Sequence, residues 1–220
     1  MPVEIAALIF DMDGVVIDSN PVHRIAWARH NQMHGVQTTE AMQQRMYGKR
    51  NDEIVRDFLG QDLTDAEVAE HGAAKERLYR EMVRPVIQQS LVPGIGDFLA
   101  RHNNLEIGMG TNAEPANVHL VLDLAGLSHY FRVIVDGQQV EKPKPHPDIY
   151  LRVAELLGVP PANCVVFEDS YSGVAAGRAA GMRVVGLQTT HQVLEGTALA
   201  IPDFLNPALE NWLASESPRG

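Results

Sequence analysis

The chain has 220 residues, with 28 acidic and 18 basic side chains, a formal net charge of −10 and one cysteine. This length suits one domain with a modest insertion, and the 45% hydrophobic content supplies enough apolar side chains for a core. A single cysteine excludes an internal disulfide and a multi-thiolate metal site, and the acidic balance argues against a nucleic-acid partner.

The sequence also argues against secretion and against a membrane partner. Residues 1–4 lack a basic segment, and no apolar run approaches the roughly 18 residues that a membrane-spanning helix needs. We therefore expect a cytoplasmic protein that is a monomer or a weak homo-oligomer.

Five short apolar runs predict the strands of a parallel sheet. They cover residues 5–10, 105–110, 133–135, 164–167 and 184–187. Each run has the length of a strand and little polar alternation, which is typical of strands buried on both faces. Segments with helical spacing separate the later runs, at residues 115–125, 147–157 and 171–180. The pattern predicts an α/β fold with a Rossmann-like parallel sheet.

The interval between the first two runs is too long for a simple crossover. It spans about ninety residues, whereas a βαβ crossover needs only about thirty. Four helices are predicted within it, at residues 21–34, 40–47, 52–59 and 65–82. We therefore expect an all-helical cap subdomain at residues 19–86, inserted into a core of residues 1–18 and 87–220. A frayed tail is expected at residues 215–220.

Polar residues follow three of the predicted strands, where an open parallel sheet binds its ligands. They are Asp11, Asp13, Thr111, Asn112, Glu168 and Asp169. Four carboxylates at one edge of a sheet would repel each other unless a cation held them together. Carboxylate oxygens are ligands that Mg²⁺ prefers, so the sequence predicts a site for a hard divalent ion.

Asp11 and Asp13 are two residues apart, so both carboxylates can face one ligand on an extended chain. Gly14 then allows a sharp turn. One carboxylate can attack a phosphorus atom while the other, carrying a proton, serves the leaving oxygen. A calcium loop is the alternative. It is disfavoured because an EF-hand has its glycine at the sixth position of the loop, whereas here glycine is fourth.

Two lysines, Lys142 and Lys144, lie between prolines after the third predicted strand. Proline restricts the backbone, so one ammonium can be held at the same edge of the sheet as a counter-charge. A solvated basic loop is the alternative. The position after a core strand favours the site.

These motifs resemble those of the haloacid dehalogenase superfamily, and within it the phosphatases similar to β-phosphoglucomutase that carry a small helical cap. Four motifs match in order, at residues 11–19, 111–112, 144–148 and 167–170, and the resemblance covers the chain from about residue 8 to 190. The lysine of the third motif precedes Pro-x-Pro-Asp. Only Lys144 fits this frame, so it is the preferred site lysine, and Lys142 is the second candidate.

The resemblance implies a Mg²⁺-dependent phosphatase of small phosphomonoesters, such as phosphorylated sugars, that forms an aspartyl-phosphate. Asp11 would be the nucleophile, and Asp13 the general acid that later activates water. A β-phosphoglucomutase-type isomerase is the alternative. A 2-haloacid dehalogenase is less favoured, because it needs neither Asp13 nor the acidic pair after the fourth strand. A non-catalytic binding protein on the same fold is also less favoured.

The resemblance also implies which residues bind phosphate and metal. Thr111, Asn112 and Lys144 would hold phosphate oxygens. The metal ligands would be Asp11, the backbone carbonyl of Asp13, Asp169 and, directly or through water, Glu168.

The cap would select the substrate. Its candidate residues are His23, Trp27, Lys49, Arg50 and Asn51. His23 and Trp27 are four residues apart and share a helical face. Trp27 could equally pack in the core of the cap, and residues 48–51 could instead form a solvated basic turn.

Three further features leave weaker expectations. His30 and His34 have zinc-like spacing, but with no third ligand nearby in the sequence we expect a surface pair. Cys164 lies in an apolar run and is expected to be an inert core residue. Residues 189–191 could border the site or face solvent.

Overall fold

The computed structural model describes residues 4–216 and contains one six-stranded parallel sheet. Its strands are β1 (Ala7–Phe10), β2 (Glu106–Thr111), β3 (Val133–Asp136), β4 (Cys164–Glu168), β5 (Arg183–Leu187) and β6 (Leu199–Ile201). They are ordered β3-β2-β1-β4-β5-β6, and every neighbouring pair is parallel. The predicted α/β fold with a Rossmann-like sheet is confirmed.

Ten α-helices surround or extend from this sheet within residues 4–216. Six of them lie between β1 and β2, and we refer to the first four as the cap helices: α1 (Asn20–Met33), α2 (Glu40–Gln44), α3 (Asn51–Leu59) and α4 (Asp65–Val83). The others are α5 (Ile87–Ser90), α6 (Ile95–Arg101), α7 (Pro115–Ala125), α8 (Asp148–Leu157), α9 (Tyr171–Ala179) and α10 (Pro207–Glu216). Short 3₁₀ turns occur at Arg84–Val86, Ser128–Tyr130 and Pro161–Asn163.

The sheet is covered on both faces, as the apolar runs predicted. Successive residues of β1 alternate between two apolar clusters: Leu8 and Phe10 belong to one, Ala7 and Ile9 to the other. On the first face Phe10 stacks on Phe167, with ring centroids 4.7 Å apart. Burying side chains of this size stabilises the fold by about 1.5–3 kcal/mol each, so the central strands are held firmly.

The cap helices have a small apolar core of their own. Its buried members are Trp27, Met46, Ile54, Val55, Phe58 and Val68. Helix α4 begins with a capping box, in which the Thr64 side chain accepts from the Glu67 backbone N–H and the Glu67 side chain accepts from the Thr64 N–H. The cap is thus a packed helical unit, and its predicted division from the core at residues 19 and 86 stays a prediction.

The structure differs from the predicted elements in three places. β6, a strand of three residues at the edge of the sheet, was not predicted. α2 ends at Gln44 rather than at residue 47. The expected frayed tail is wrong for Ser215 and Glu216, which close α10, and Glu216 pairs with Arg183 at 2.8 Å; its residues 217–220 lie outside the described residues. Within residues 4–216 no helix is long and apolar enough to cross a membrane.

Candidate active site

Asp11 and Asp13 lie directly after β1, where the chain turns at Gly14. The Asp11 backbone N–H donates to the Phe167 carbonyl at 3.0 Å, which continues the pairing of β1 with β4. Gly14 has φ +78°, and a Cβ atom there would lie 1.9 Å from Asp169 Oδ2. Only glycine fits this position, because the loops after β1 and β4 touch.

Lys144 is the counter-charge of this edge. Its Nζ donates to Asp11 Oδ1 at 2.9 Å and to Glu168 Oε1 at 2.6 Å, and the side chain is 2% exposed. Lys142 is exposed instead. The structure therefore brings Lys144, and not Lys142, to the carboxylates.

Glu168 has most of its hydrogen-bonding capacity already in use. Oε1 accepts from Lys144 and from the Tyr150 hydroxyl, each at 2.6 Å. Oε2 accepts from the backbone N–H groups of Asp169 and Ser170 and from the Ser170 hydroxyl, at 3.0–3.1 Å. Gly173 makes room for this side chain, because a Cβ atom there would lie 1.7 Å from Oε1. Glu168 is thus an anchor for the surrounding loops.

The carboxylates form a cluster whose charge is incompletely balanced. Asp11, Glu168 and Asp169 are all buried, and one oxygen from each lies within 4.8 Å of the others. Burial raises the pKa of Asp11 to about 7, and the nearby charges of Glu168 and Asp13 add to this, against the effect of Lys144. Burial, with Glu168 and Asp11, also raises the pKa of Asp169 well above its ordinary value.

A hard divalent cation fits this donor set. The ligand atoms are oxygens only, and a bound cation would favour the ionised forms that burial now opposes. Lys144 remains a cation as well: burial disfavours its charge, but Asp11 and Glu168 outweigh this and hold its pKa above the ordinary value. The Asp13 side chain lies outside the cluster.

Asp13 is instead held by groups from the start of α1. The Ser19 hydroxyl donates to Asp13 Oδ1 at 2.5 Å, and His23 Nε2 lies 3.4 Å from the same oxygen. Burial alone would raise the pKa of Asp13, but the charge and hydrogen bond of His23, helped by Ser19, outweigh it and lower the pKa below its ordinary value.

Thr111 and Asn112 follow β2 and line the same cavity as Asp11 and Asp13. The Asn112 side chain donates to the Gly48 carbonyl at 3.0 Å, so it connects the core to the cap. Gly48 has φ +73°, and a Cβ atom there would lie 2.2 Å from Ser172 Oγ. The loop around Gly48 therefore packs closely on the core beside the site, although the Lys49 side chain within it is exposed.

The cap candidates divide into those that line this cavity and one that does not. His23, Trp27, Lys49 and Asn51 line it. Arg50 does not, and its Nε lies 3.6 Å from Asp52 Oδ1. Trp27 is 1% exposed and belongs to the apolar core of the cap, so its anticipated packing role is observed, while its contact with substrate stays a prediction.

Two charged residues of α4 that also line the cavity were not predicted, namely Lys75 and Glu76. Lys75 Nζ lies 2.7 Å from Glu76 Oε1 and 2.9 Å from His23 Nδ1. Glu76 also accepts from Asn51 at 2.8 Å and from Asn117 of α7 at 2.6 Å. Adjacent Lys and Glu on a helix are ordinarily solvated, so no sequence signal distinguished this pair.

Residues 189–191 were left open between site and solvent, and Thr189 and Thr190 contact the site. The Thr189 hydroxyl donates to the Gly14 carbonyl at 2.5 Å, and the Thr190 hydroxyl donates to Asp169. The Asn20 side chain, also not predicted, donates to Thr190 at 2.6 Å and to Asp169 at 3.3 Å.

Two remaining expectations concern residues outside the cavity. Cys164 is buried in β4, where burial raises the pKa of its thiol to about 11, as expected of an unreactive core residue. The expectation that His30 and His34 form a surface pair without a third ligand is wrong. His30 is fully buried, and His71 of α4 lies beside both.

Comparison with known proteins shows the family and the fold of the chain. Residues 5–181 match the family model of the haloacid dehalogenase-like hydrolases. The chain is 35% identical to fructose-1-phosphate phosphatase YqaB of Escherichia coli, over 83% of this chain and 96% of that protein. It is 33% identical to the β-phosphoglucomutase of Bacillus subtilis, over 82% of each chain. The crystal structure of β-phosphoglucomutase from Clostridium difficile superposes with a TM-score of 0.86, at 27% identity, covering 96% of this chain and 98% of that one. The chain therefore belongs to the haloacid dehalogenase-like hydrolase family.

Proposed function

We propose that the chain is a Mg²⁺-dependent phosphatase that hydrolyses small phosphomonoesters, in particular sugar phosphates, through an aspartyl-phosphate on Asp11. The contacts of Lys144 carry this proposal, because they join Asp11 to Glu168 within the cluster that Asp169 completes. A carboxylate nucleophile, a fixed cation and a set of oxygen ligands are what phosphoryl transfer requires. The similarity to a fructose-1-phosphate phosphatase supports the substrate class.

The proposed reaction has two steps that use Asp11 and Asp13 in turn. In the first, an Asp11 oxygen attacks phosphorus and the bond from phosphorus to the ester oxygen breaks. Asp13 donates a proton to that oxygen, which leaves as an alcohol. In the second, Asp13 accepts a proton from water, and the water oxygen attacks the phosphorus of the aspartyl-phosphate. Inorganic phosphate leaves, and the Asp11 carboxylate is regenerated.

Asp13 must hold a proton before it can act as the general acid. His23 and Ser19 lower its pKa in the free protein. A phosphate ester bound at Asp11 brings negative charge close to Asp13, and a like charge raises the pKa of a carboxyl group. We infer that Asp13 takes up its proton as the substrate binds.

Asp11, Asp169 and the Asp13 backbone carbonyl would hold Mg²⁺, with Glu168 contributing through water because its oxygens already accept five hydrogen bonds. When bound, the ion supplies positive charge against the phosphoryl oxygens. The chain's own contribution is to keep these carboxylates buried and oriented.

Thr111, Asn112 and Lys144 are the proposed phosphate-binding residues. All three line the cavity, and Lys144 adds a positive charge beside the nucleophile. The polar cap residues above them would select the rest of the substrate. We propose the cap division at residues 19–86, a cytoplasmic location and a monomeric or weakly homo-oligomeric state together with this function.

Assaying free phosphate over a panel of phosphate esters, with Mg²⁺ and with excess chelator, tests the proposal. We expect turnover of sugar phosphates that chelator abolishes. Asp11→Asn should lower turnover by at least about 10³-fold, because an amide is not a nucleophile. Asp62→Asn, at an exposed position of the cap, is the matched control and should match the wild type. Undiminished turnover in Asp11→Asn would reject the mechanism.

A β-phosphoglucomutase-type isomerase is the second candidate, favoured by the two relatives of that name and by Lys49 on the cavity wall. The same core would serve if a sugar hydroxyl, rather than water, met the aspartyl-phosphate, with a cap cation holding the second phosphate. Incubation of β-glucose 1-phosphate with a bisphosphate primer separates the two. Formation of glucose 6-phosphate supports the isomerase, and release of free phosphate alone rejects it.

A further inference from the structure

A group of three histidines lies between two cap helices, separate from the carboxylate cluster. His30 belongs to α1, His34 follows the last residue of that helix, and His71 belongs to α4. One ring nitrogen from each lies within 4.8 Å of the others. The three come from two helices, so only their packing makes the group.

The distances within this group suit one metal ion. His71 Nδ1 lies 3.4 Å from His30 Nε2. Two nitrogens on a tetrahedral zinc ion, each about 2.0–2.1 Å from the metal, are about 3.3–3.4 Å apart. The His34 ring centroid lies 4.7 Å from that of His30 and 4.5 Å from that of His71. Because His34 is exposed at the end of α1, rotation of its side chain can close the remaining gap.

The burial of the three residues differs in a way that suits a ligand entering from solvent. His30 is fully buried, His71 is half-buried and His34 is exposed. A metal could therefore reach the group through the His34 side and keep water as its fourth ligand.

His30 is costly to bury unless both ring nitrogens are used. Its Nδ1 has no partner with hydrogen-bond geometry among the described residues, and the same holds for Oδ1 of the neighbouring Asn31, whose side chain also acts on the pKa of His30. A metal on Nε2 would place the ring proton on Nδ1, beside this free acceptor. Metal-bound histidines commonly donate their second N–H to such an oxygen.

The alternative is a hydrogen bond between the neutral rings of His30 and His71, with His34 unused. It would explain the 3.4 Å separation, but not the approach of a third imidazole to both rings. We propose that His30, His34 and His71 form a transition-metal site, with Zn²⁺ as the expected ion, that links α1 to α4. Three imidazoles favour Zn²⁺ and its transition-metal neighbours over Mg²⁺, which prefers oxygen.

The histidine group is connected to the cavity through the packing of α1 and α4. His71 and Lys75 are four residues apart on α4. Trp27 of α1 contacts both groups, because its ring is edge-on to His30 and its ring centroid lies 4.9 Å from Lys75 Nζ. A metal at the histidines would restrain the same two helices that carry His23 and Lys75. We therefore expect it to stabilise the cap.

Calorimetric titration of the full chain with Zn²⁺ tests this site. The protein should carry no affinity tag rich in histidine, should first be stripped with chelator, and should be held in excess Mg²⁺ to occupy the carboxylates. We expect one Zn²⁺ per chain and a higher melting temperature with Zn²⁺. His34→Ala and His71→Ala should each weaken binding at least tenfold and abolish that rise. His119→Ala, at an exposed histidine of α7, is the matched control and should bind as the wild type does.

Two further measurements keep the outcome decisive. Circular dichroism without metal should show that His34→Ala is folded, as expected for an exposed side chain. Asp169→Asn should retain the ion, which separates this site from the carboxylates whatever the fate of the proposed function. Absence of Zn²⁺ binding by the wild type, or equal binding by the wild type, His34→Ala and His71→Ala, would overturn the proposal.

Discussion

Two groups of buried polar side chains line the same cavity, one at the edge of the sheet and one on the cap helices. The first includes Asp11, Lys144 and Asp169, and each lies at or just beyond the end of a strand or in the loop after one. The second includes Lys75 and Glu76, which lie in the middle of a 19-residue helix. The sheet therefore places its functional groups through strand register, whereas the cap places them through helix packing.

This difference has a physical basis in what surrounds each group. Phe10 pairs with Phe167 in the register of β1 and β4, so the next residues of both strands, Asp11 and Glu168, arrive at the same edge. Both strands are entirely buried, and a shift of one residue would turn apolar side chains away from the core. In the cap, Glu76 depends on side-chain contacts from α3 and α7. The comparison predicts strong dependence on single residues in the core and graded dependence in the cap.

The largest effect is expected from removing the buried cation of the core site, Lys144. Lys144→Ala should lower turnover of the best phosphate ester by about 10³-fold, because it leaves Asp11 and Glu168 without their shared counter-charge. Lys142→Ala is the matched control, since Lys142 is exposed two residues away, and should stay within about twofold of the wild type. Steady-state kinetics, with thermal unfolding as a check of folding, measures both. Similar losses in the two variants would contradict the geometry.

An intermediate effect is expected from the charge network of the cap. Burial would raise the pKa of Glu76, but the charge and hydrogen bond of Lys75, with His23 and Asn117, outweigh it and lower the pKa to about 2. A carboxyl group with a lowered pKa stabilises the fold above its ordinary pKa, 4.5, and that contribution is lost as the pH falls towards 2. Between pH 5.5 and 3 the wild type should lose about 2 kcal/mol more unfolding free energy than Glu76→Gln.

Urea unfolding at the two pH values measures this difference. Glu70→Gln, an exposed substitution on the same helix, is the control and should follow the wild type. If Glu76→Gln lost as much stability in acid as the wild type, the buried network would not hold Glu76 in its ionised form.

The smallest effect is expected from two adjacent basic residues of the cap loop. Lys49 lines the cavity, whereas Arg50 lies outside it beside Asp52. Lys49→Ala should raise KM for a sugar phosphate about tenfold through loss of one charge-assisted contact. Arg50→Ala should change KM by less than about threefold, because an exposed ion pair contributes little. A larger effect of Arg50→Ala on KM would show that the loop changes conformation when substrate binds and brings Arg50 to the cavity.

The sequence by itself determined the sheet and the edge at which the candidate site lies. Apolar runs predicted five of the six strands, because strands buried on both faces leave an uninterrupted apolar signal. The residues after those runs predicted Asp11, Asp13, Thr111, Asn112, Glu168 and Asp169, since the carboxyl ends of parallel strands must meet at one edge. The motif frame preferred Lys144 over Lys142, and the contacts of Lys144 agree.

Tertiary structure alone decided what the helices bring to the cavity. Lys75 and Glu76 look like solvated residues in the sequence, and they become buried because α4 packs against α1 and faces α7. His71 joins His30 and His34 for the same reason, although the 36 residues between His34 and His71 give no spacing typical of metal ligands. The burial of a strand can be predicted from its own apolar residues. In a helix with few apolar positions, the sequence does not show which polar residues face a neighbouring helix. Only the packing of one helix on another settles that.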